Sequence, residues 1–261
     1  HAQGINGLDN KLLEYTQKKN IFLIEDVCES HGVLIGNGKK AGSIGDLSCF
    51  SFYYAHHMST IEGGMVCTNN EDSYEALRMF RSHGMVREIS NPQKKDYWIN
   101  KYKELNEKFI FTKPAFNLRN NEIGATIGLE QLKRLDWMIK KRSDNFQLFL
   151  DLLPDWCFKD FNLKGQSNYA FNLILNKDDA ELMRKLEERL KNHGIEYRRG
   201  SAGGGNQMRQ PYVRDTFNFT DEDIKNIAPI TDHIHFYGMY IGNYPELDDE
   251  SIKEITKVIS G

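Results

Sequence analysis

The stretch Ala55-His56-His57-Met58-Ser59-Thr60-Ile61-Glu62-Gly63-Gly64 is the part of this chain whose residue types and spacing could do chemistry. An imidazole titrates near neutral pH and can take or give a proton during a reaction. It cannot form an imine with a carbonyl group, which requires a primary amine able to lose its charge. Thirty positions upstream of His56, Asp26 closes the apolar run Ile21-Phe22-Leu23-Ile24. An acid at the carboxyl end of a strand in an α/β sheet stands where ligands bind. Ser51, at the end of a second apolar stretch, offers a hydroxyl. His56 and His57 are adjacent, and adjacent residues in extended chain face opposite ways, so only one of them points at a ligand.

A second group of candidates lies far downstream, where Arg198-Arg199 runs into Gly200-Ser201-Ala202-Gly203-Gly204-Gly205-Asn206. Guanidinium groups beside a glycine loop suit a carboxylate or a diphosphate. The same composition also suits a plain mobile surface loop, and the lysine spacing of a P-loop is absent. Cys28, Cys49, Cys67 and Cys157 are widely spaced and read as small core residues in apolar strands, so no metal site is expected. His31, His83, His193, His233 and His235 read as surface or structural histidines.

The elements that must position these groups alternate along the chain. Residues 8–19 read as a helix, 21–24, 47–53 and 64–68 as strands, and Asn70 as the cap of a helix that stops at Gly84. Residues 85–116 are polar and aromatic without a clean period and read as an irregular excursion. Residues 122–153 read as one long amphipathic helix linking two domains. Beyond it come a strand at 169–175, a helix at 178–193 and a strand at 195–197. Thr220-Asp221-Glu222-Asp223 has capping-box spacing, a strand follows at 236–241, and a last helix starts near Asp248. This order implies an α/β fold with a smaller αβ domain after about residue 135. The chain opens just before a helix that leads into a strand, the second half of a βα unit, so it is expected to be a fragment of a longer protein.

With 261 residues, 39% hydrophobic and 27% charged, the chain has enough material for a sizeable core. A net charge of −3 and a pI near 6.3 provide no general field for polyanions, so neither nucleic acid nor an anionic membrane is expected as a main partner. The sequence has no apolar run of the ~20 residues that a bilayer span needs and no signal-peptide pattern at its start; a cytoplasmic location is the default.

The segment from Ser51-Phe52 through His56 to Glu62-Gly63-Gly64 resembles the cofactor-lysine motif of the DegT/DnrJ/EryC1/StrS sugar aminotransferase family, with histidine at the lysine position. The count of six back from Glu62 selects His56 over His57 as the counterpart. The resemblance implies a fold-type-I aminotransferase-like protein: residues 1–135 as the later part of a pyridoxal-phosphate-binding large domain with a mixed, mostly parallel sheet, and 136–261 as a small αβ domain. It implies pyridoxal phosphate or pyridoxamine phosphate as cofactor, Asp26 at the pyridine nitrogen, Glu29 near the phenolic oxygen, and Ser51 at the phosphate. Phe116-Asn117-Leu118-Arg119, followed by Ile123 to Leu132, is similar to the segment whose Asn reaches the phosphate in a partner subunit, which implies a homodimer. Arg119, Arg198 and Arg199 fall where the family contacts substrate.

Histidine in place of lysine is similar to the dehydratase members of the family, which implies a nucleotide-sugar 3-dehydratase. A 4-keto-6-deoxy sugar would be its substrate, His56 its base, and glutamate its amino donor. The rivals are an aminotransferase-like enzyme of other specificity and a catalytically silent member that serves as a binding or regulatory subunit. Relatives acting on CDP-sugars carry an iron–sulfur cluster on closely spaced cysteines, a spacing that this sequence lacks.

Overall fold

The computed structural model describes residues 1–36 and 38–261. The described chain divides into two compact units, Lys11–Cys28 with Gly42–Lys133, and His1–Asn10 with Glu29–Ala41 and Arg134–Gly261. They are called here the first and the second unit. Two early segments, His1–Asn10 and Glu29–Ala41, belong to the later unit.

The first unit contains α1 (Asn10–Lys19), β1 (Ile24–Asp26), β2 (Leu47–Ser51), β3 (Gly64–Cys67), α2 (Glu71–Phe80), α3 (Pro92–Lys101) and α4 (Glu122–Leu132). Its sheet is mixed, in the order β1-β2-β3, with β1 parallel to β2 and β3 antiparallel to β2. Asp26 pairs with Cys49, Cys49 with Val66, and Ser51 with Gly64. Paired residues share a face and alternate residues oppose it, so Asp26, Cys49 and Ser51 stand on one side and Glu25 and Ser48 on the other. The two sides differ in burial. Glu25 and Ser48 are buried, whereas Ile24 and Val66 on the Asp26 side are exposed.

Asparagines set the helix starts. Asn70, Asn91 and Asn121 each accept a backbone N–H in the first turn of α2, α3 and α4. Helix α3 interrupts the segment expected to be irregular. Its signals were the Asn91 cap and Pro92 at the first helical position. It buries no residue completely, so its sequence has no apolar stripe to betray it. Partly buried Trp98 and Ile99 pack on Met79, Val86, Ile89 and Ile110.

The second unit contains α5 (Leu135–Leu152), β4 (Ala170–Ile174), α6 (Ala180–Asn192), β5 (Tyr197–Arg199), α7 (Pro211–Phe217), α8 (Asp221–Ile227), α9 (Pro229–Tyr237), β6 (Gly238–Gly242) and α10 (Asp249–Ser260). Its sheet is antiparallel throughout, in the order β4-β6-β5. One face carries Phe171, Leu173, Met239 and Ile241 into a core with Phe146, Phe149, Leu186, Leu190, Ile252 and Ile259. Phe149 and Phe171 stack with ring centroids 4.4 Å apart. The Thr220–Asp223 capping box forms as its spacing predicts.

The single helix expected over 122–153 is two helices, α4 and α5. Helix α4 buries Gly124 and Gly128, and α5 buries Met138, Arg142, Phe146, Phe149 and Leu150. The buried residues of the two helices have different surroundings: Gly128 meets the Thr60 methyl, while Phe146 and Phe149 lie in the core of the second unit. Among the described residues, no helix is long and apolar enough to cross a membrane.

Candidate functional site

The open face of the β1-β2-β3 sheet gathers most of the chemistry. Asp26 ends β1, its Oδ1 accepting the N–H of Cys28 at 3.0 Å. Burial works against the charged form, yet the Cys28 N–H and thiol and the field of His56 outweigh it and hold the Asp26 carboxyl below its usual range. His56 is thus within electrostatic reach of Asp26. The same face carries Ser51, whose Oγ accepts the N–H of Tyr53 at 3.2 Å, leaving its own hydrogen to donate to a ligand.

His56 lies on a turn, its N–H bonded to the carbonyl of Tyr53 at 3.0 Å and its ring meeting the Tyr53 ring edge-on at 5.4 Å. The two histidines are separated by this turn and not by strand alternation. His57 is buried at 1% exposure, while His56 is half-buried. Farther along the loop, Thr60 bonds to the carbonyl of Phe52 through its N–H and to that of Glu62 through its hydroxyl, both at 2.9 Å. A Cβ at Gly128 would lie 3.1 Å from the Thr60 methyl, so the glycines of α4 leave room for the loop to seat. Ile61, just before Glu62, has φ of +73°, a left-handed conformation that is unfavourable for a β-branched residue.

Glu25, opposite Asp26, is a structural clamp. Its carboxylate accepts the N–H groups of Gly42, Ile44 and Gly45 at 2.7–2.8 Å. Gly45 has no room for a side chain, since a Cβ there would come within 2.8 Å of the Leu23 carbonyl.

Cys49 is a site-face residue that sequence reasoning placed in the core. It lies between Asp26 and Ser51, and burial and the nearby Asp26 push its thiol up, so it stays protonated. The available signal was its position two residues before Ser51 in an alternating strand. Cys28 and Cys67 are also half-buried, and Cys157 alone among the four is buried.

The other expected site residues lie outside these three strands. Asn117 is paired with Ser82, and Arg119 donates to the Ser82 hydroxyl at 3.1 Å, on an exposed stretch of the first unit. Glu29 belongs to the second unit, where its Oε2 accepts the Gln3 N–H at 3.2 Å and its charge acts on Tyr169. Arg198 and Arg199 do not form one patch. Arg199 pairs with Glu187 at 3.0 Å and donates to the Phe236 carbonyl, ties within the fold, while Arg198 is on the opposite side of the strand and largely exposed. His193, His233 and His235 each bond within the second unit.

The donor set on the β1-β2 face suits a pyridoxamine-type cofactor. An ionised carboxylate matches a protonated ring nitrogen, a free hydroxyl hydrogen matches a phosphate, and the open face admits a flat ring. The fold itself is the aminotransferase-like fold type I: it matches 3-amino-5-hydroxybenzoic acid synthase with a TM-score of 0.79 over 100% of this chain and 65% of that one, at 20% identity. Residues 8–260 match the DegT/DnrJ/EryC1/StrS aminotransferase family, and the chain belongs to it.

Among its relatives, the GDP-4-keto-6-deoxy-D-mannose 3-dehydratase of Escherichia coli O55:H7 is 33% identical over 244 residues, 92% of this chain and 61% of that protein. The Yersinia pseudotuberculosis protein of the same name is 32% identical, over 95% of this chain and 62% of its own length. A crystal structure of GDP-4-keto-6-deoxymannose-3-dehydratase with a trapped PLP-glutamate geminal diamine superposes with a TM-score of 0.80 at 27% identity, covering 99% of this chain and 66% of that one. The chain therefore spans about three-fifths of the length of these two sequence relatives.

Proposed function

We propose that this chain carries the catalytic face of a pyridoxamine-phosphate-dependent nucleotide-sugar 3-dehydratase, which removes the C3 hydroxyl of a 4-keto-6-deoxy sugar linked to GDP. The observation that carries the reading is His56, an imidazole where the family motif has its lysine, held near an ionised Asp26. The names of the relatives at 32–33% identity support the GDP-sugar substrate.

When bound, the cofactor would supply an amine able to condense with the C4 ketone and a ring able to accept electrons. Asp26 holds a proton on the ring nitrogen, because its carboxylate is ionised and stays so through neutral pH. Ser51 donates its hydroxyl to the phosphate, with Asn117 as a second donor from the other subunit of a homodimer. His56 takes a proton from the cofactor's C4′ carbon and returns one to the departing C3 hydroxyl, acid and base work suited to an imidazole. An imidazole cannot hold the cofactor covalently, so retention falls to Asp26, Ser51 and Asn117. Glu29 lies three residues past Asp26 and is assigned the region of the phenolic oxygen, and Arg119 and Arg198 are assigned to substrate. Glutamate would be the amino donor. A cytoplasmic location accords with this chemistry.

The deciding experiment replaces His56 and His57 singly with Asn in the cofactor-loaded protein and follows sugar dehydration. Loss of one acid/base group costs ~10²–10⁴-fold in turnover. His56→Asn is expected to fall in that range with an unchanged melting temperature. His57→Asn is expected to lower the melting temperature, because its ring is buried, while the surviving folded fraction turns over. A larger loss of turnover per folded molecule at His57 would overturn the assignment.

A further inference from the structure

Helix α4 meets the rest of the first unit through its smallest residues. Its two buried positions are Gly124 and Gly128, about one turn apart on a single face. Its large apolar residues Ile123, Leu129 and Leu132 are 55–75% exposed. A Cβ at Gly128 would lie 3.1 Å from the Thr60 methyl, and a Cβ at Gly124 would lie 3.8 Å from the Thr60 Cβ and 3.3 Å from the Asn120 side-chain oxygen. The buried seam of α4 thus seats one side chain of the loop that carries His56.

Thr60 is also the knot of that loop. The two legs meet where the Phe52 N–H donates to the Gly63 carbonyl and the Thr60 N–H donates to the Phe52 carbonyl, both at 2.9 Å. The Thr60 hydroxyl crosses to the Glu62 carbonyl at 2.9 Å. It fills the space a side chain on Gly63 would need, since a Cβ there would lie 2.6 Å from the Thr60 Oγ1. Thr60 is 6% exposed. A β-branched side chain has a single stiff torsion, so setting the methyl against α4 sets the hydroxyl as well.

His56 stands four residues upstream, on the turn that these legs carry. Its N–H bond to the Tyr53 carbonyl shapes that turn locally. Where the turn stands as a whole depends on the legs, and the legs are joined at Thr60. Asn120, whose Nδ2 would be 3.5 Å from a Cβ on Gly63, links the same junction to the segment that holds Asn117.

We propose that Thr60 is a positioning residue for His56. Its methyl, seated between Gly124 and Gly128, and its bonds to both legs of the loop together set where the imidazole stands. Thr60 acts through the loop and not on the reacting atoms. The consequence for turnover rests on the dehydratase reading, in which His56 is the base; the placement of the ring does not.

The test separates the methyl from the hydroxyl. An alanine at position 128 must push the Thr60 methyl back by a few tenths of an ångström. Since a misplacement of ~1 Å can cost ~10²-fold in rate, Gly128→Ala is expected to lower kcat of the cofactor-loaded protein about tenfold and to leave KM within about twofold. It is also expected to move the His56 ring signals in NMR spectra of histidine-labelled protein, which His56→Asn assigns. A merely structural glycine would behave otherwise: alanine is the better helix former, so the melting temperature would rise while kcat and the ring signals stayed as in wild type.

Thr60→Ser drops the methyl and keeps the hydroxyl. Added to Gly128→Ala, it is expected to return kcat and the ring signals to those of Thr60→Ser alone. Thr60→Val keeps the shape and loses the bond to the Glu62 carbonyl; it is expected to lower kcat about tenfold and to move the same signals, and it decides the question if Gly128→Ala does not fold. Ring signals at their wild-type positions in both Gly128→Ala and Thr60→Val overturn the proposal, as does failure of Thr60→Ser to rescue Gly128→Ala. Signals that follow the variants, in a wild-type protein that dehydrates no GDP-linked sugar, would overturn the dehydratase reading and leave the positioning role standing.

Discussion

The two units are built on different principles. The twelve largest fully buried side chains among the described residues, from Phe146 to Ile259, all belong to the second unit. The first unit holds its shape with smaller apolar groups and with carboxylates that bind backbone. Glu25 takes three N–H groups, and Glu75 takes the N–H of Ser90 and Asn91 and the Ser90 hydroxyl, at 2.6–2.9 Å. Ile24, Met65 and Val66 of its sheet remain 43–56% exposed. The acid, hydroxyl and imidazole assigned to the cofactor are thus on the thinly packed unit, where a sheet face is open to receive a ring.

Removing one key group from each unit breaks or sharpens this contrast. Phe149→Ala empties a stacked aromatic core and is expected to cost ~3–5 kcal/mol in urea unfolding. Glu25→Gln keeps the volume but sets an amide NH₂ against backbone donors, with an expected cost of ~1–3 kcal/mol. Hydrogen exchange at Gly42, Ile44 and Gly45 should quicken in Glu25→Gln and not in Phe149→Ala. Equal exchange in both variants would show that the clamp is not local.

A pH series separates the units next. In the second unit, the His235 Nδ1 accepts the Asn206 N–H at 3.2 Å, and burial followed by the Arg209 charge lowers the ring's affinity for a proton. Asp232 is lowered too, chiefly by its hydrogen bonds from Arg209 at 2.5 and 2.8 Å. Both folded values lie below the unfolded ones, so the unfolded chain binds more protons and stability is lost as pH falls. The loss should begin below ~6.5 through His235 and continue below ~4 through Asp232. His235→Asn, whose side-chain oxygen can still accept, should remove the first part of this slope. An unchanged slope between pH 7 and 5 would reject the role of His235.

The smallest effect concerns the loop after His56. Ile61 is 65% exposed, so Ile61→Asn gives up little burial and places a residue tolerant of positive φ there. Thermal unfolding should show a gain of about 1 kcal/mol. A loss would mean that the left-handed turn is not strained.

Much of this was legible in the sequence. The Asp26 strand end, the Asn70 and Thr220 caps and the Asp248 helix start all depend on local chemistry, which sequence records directly. Helix α3 was hidden because a helix lying on the surface needs no apolar stripe. The break between α4 and α5 was hidden because Lys133 and Arg134 supply neither a Gly nor a Pro to mark it. The opposite facing of Arg198 and Arg199 follows from strand alternation and was readable once residues 197–199 were known to be the strand.

Glu25 and Asp26 are adjacent acids, and a slip of β1 by one residue would trade them while leaving a carboxylate on the ligand face. Such a misfolded sheet would look chemically intact. The three N–H groups that Glu25 satisfies would then lose their acceptor, a penalty of ~1–3 kcal/mol each, which Asp26 with its shorter side chain is poorly placed to relieve. The clamp therefore favours the register that puts Glu25 rather than Asp26 on the inner face.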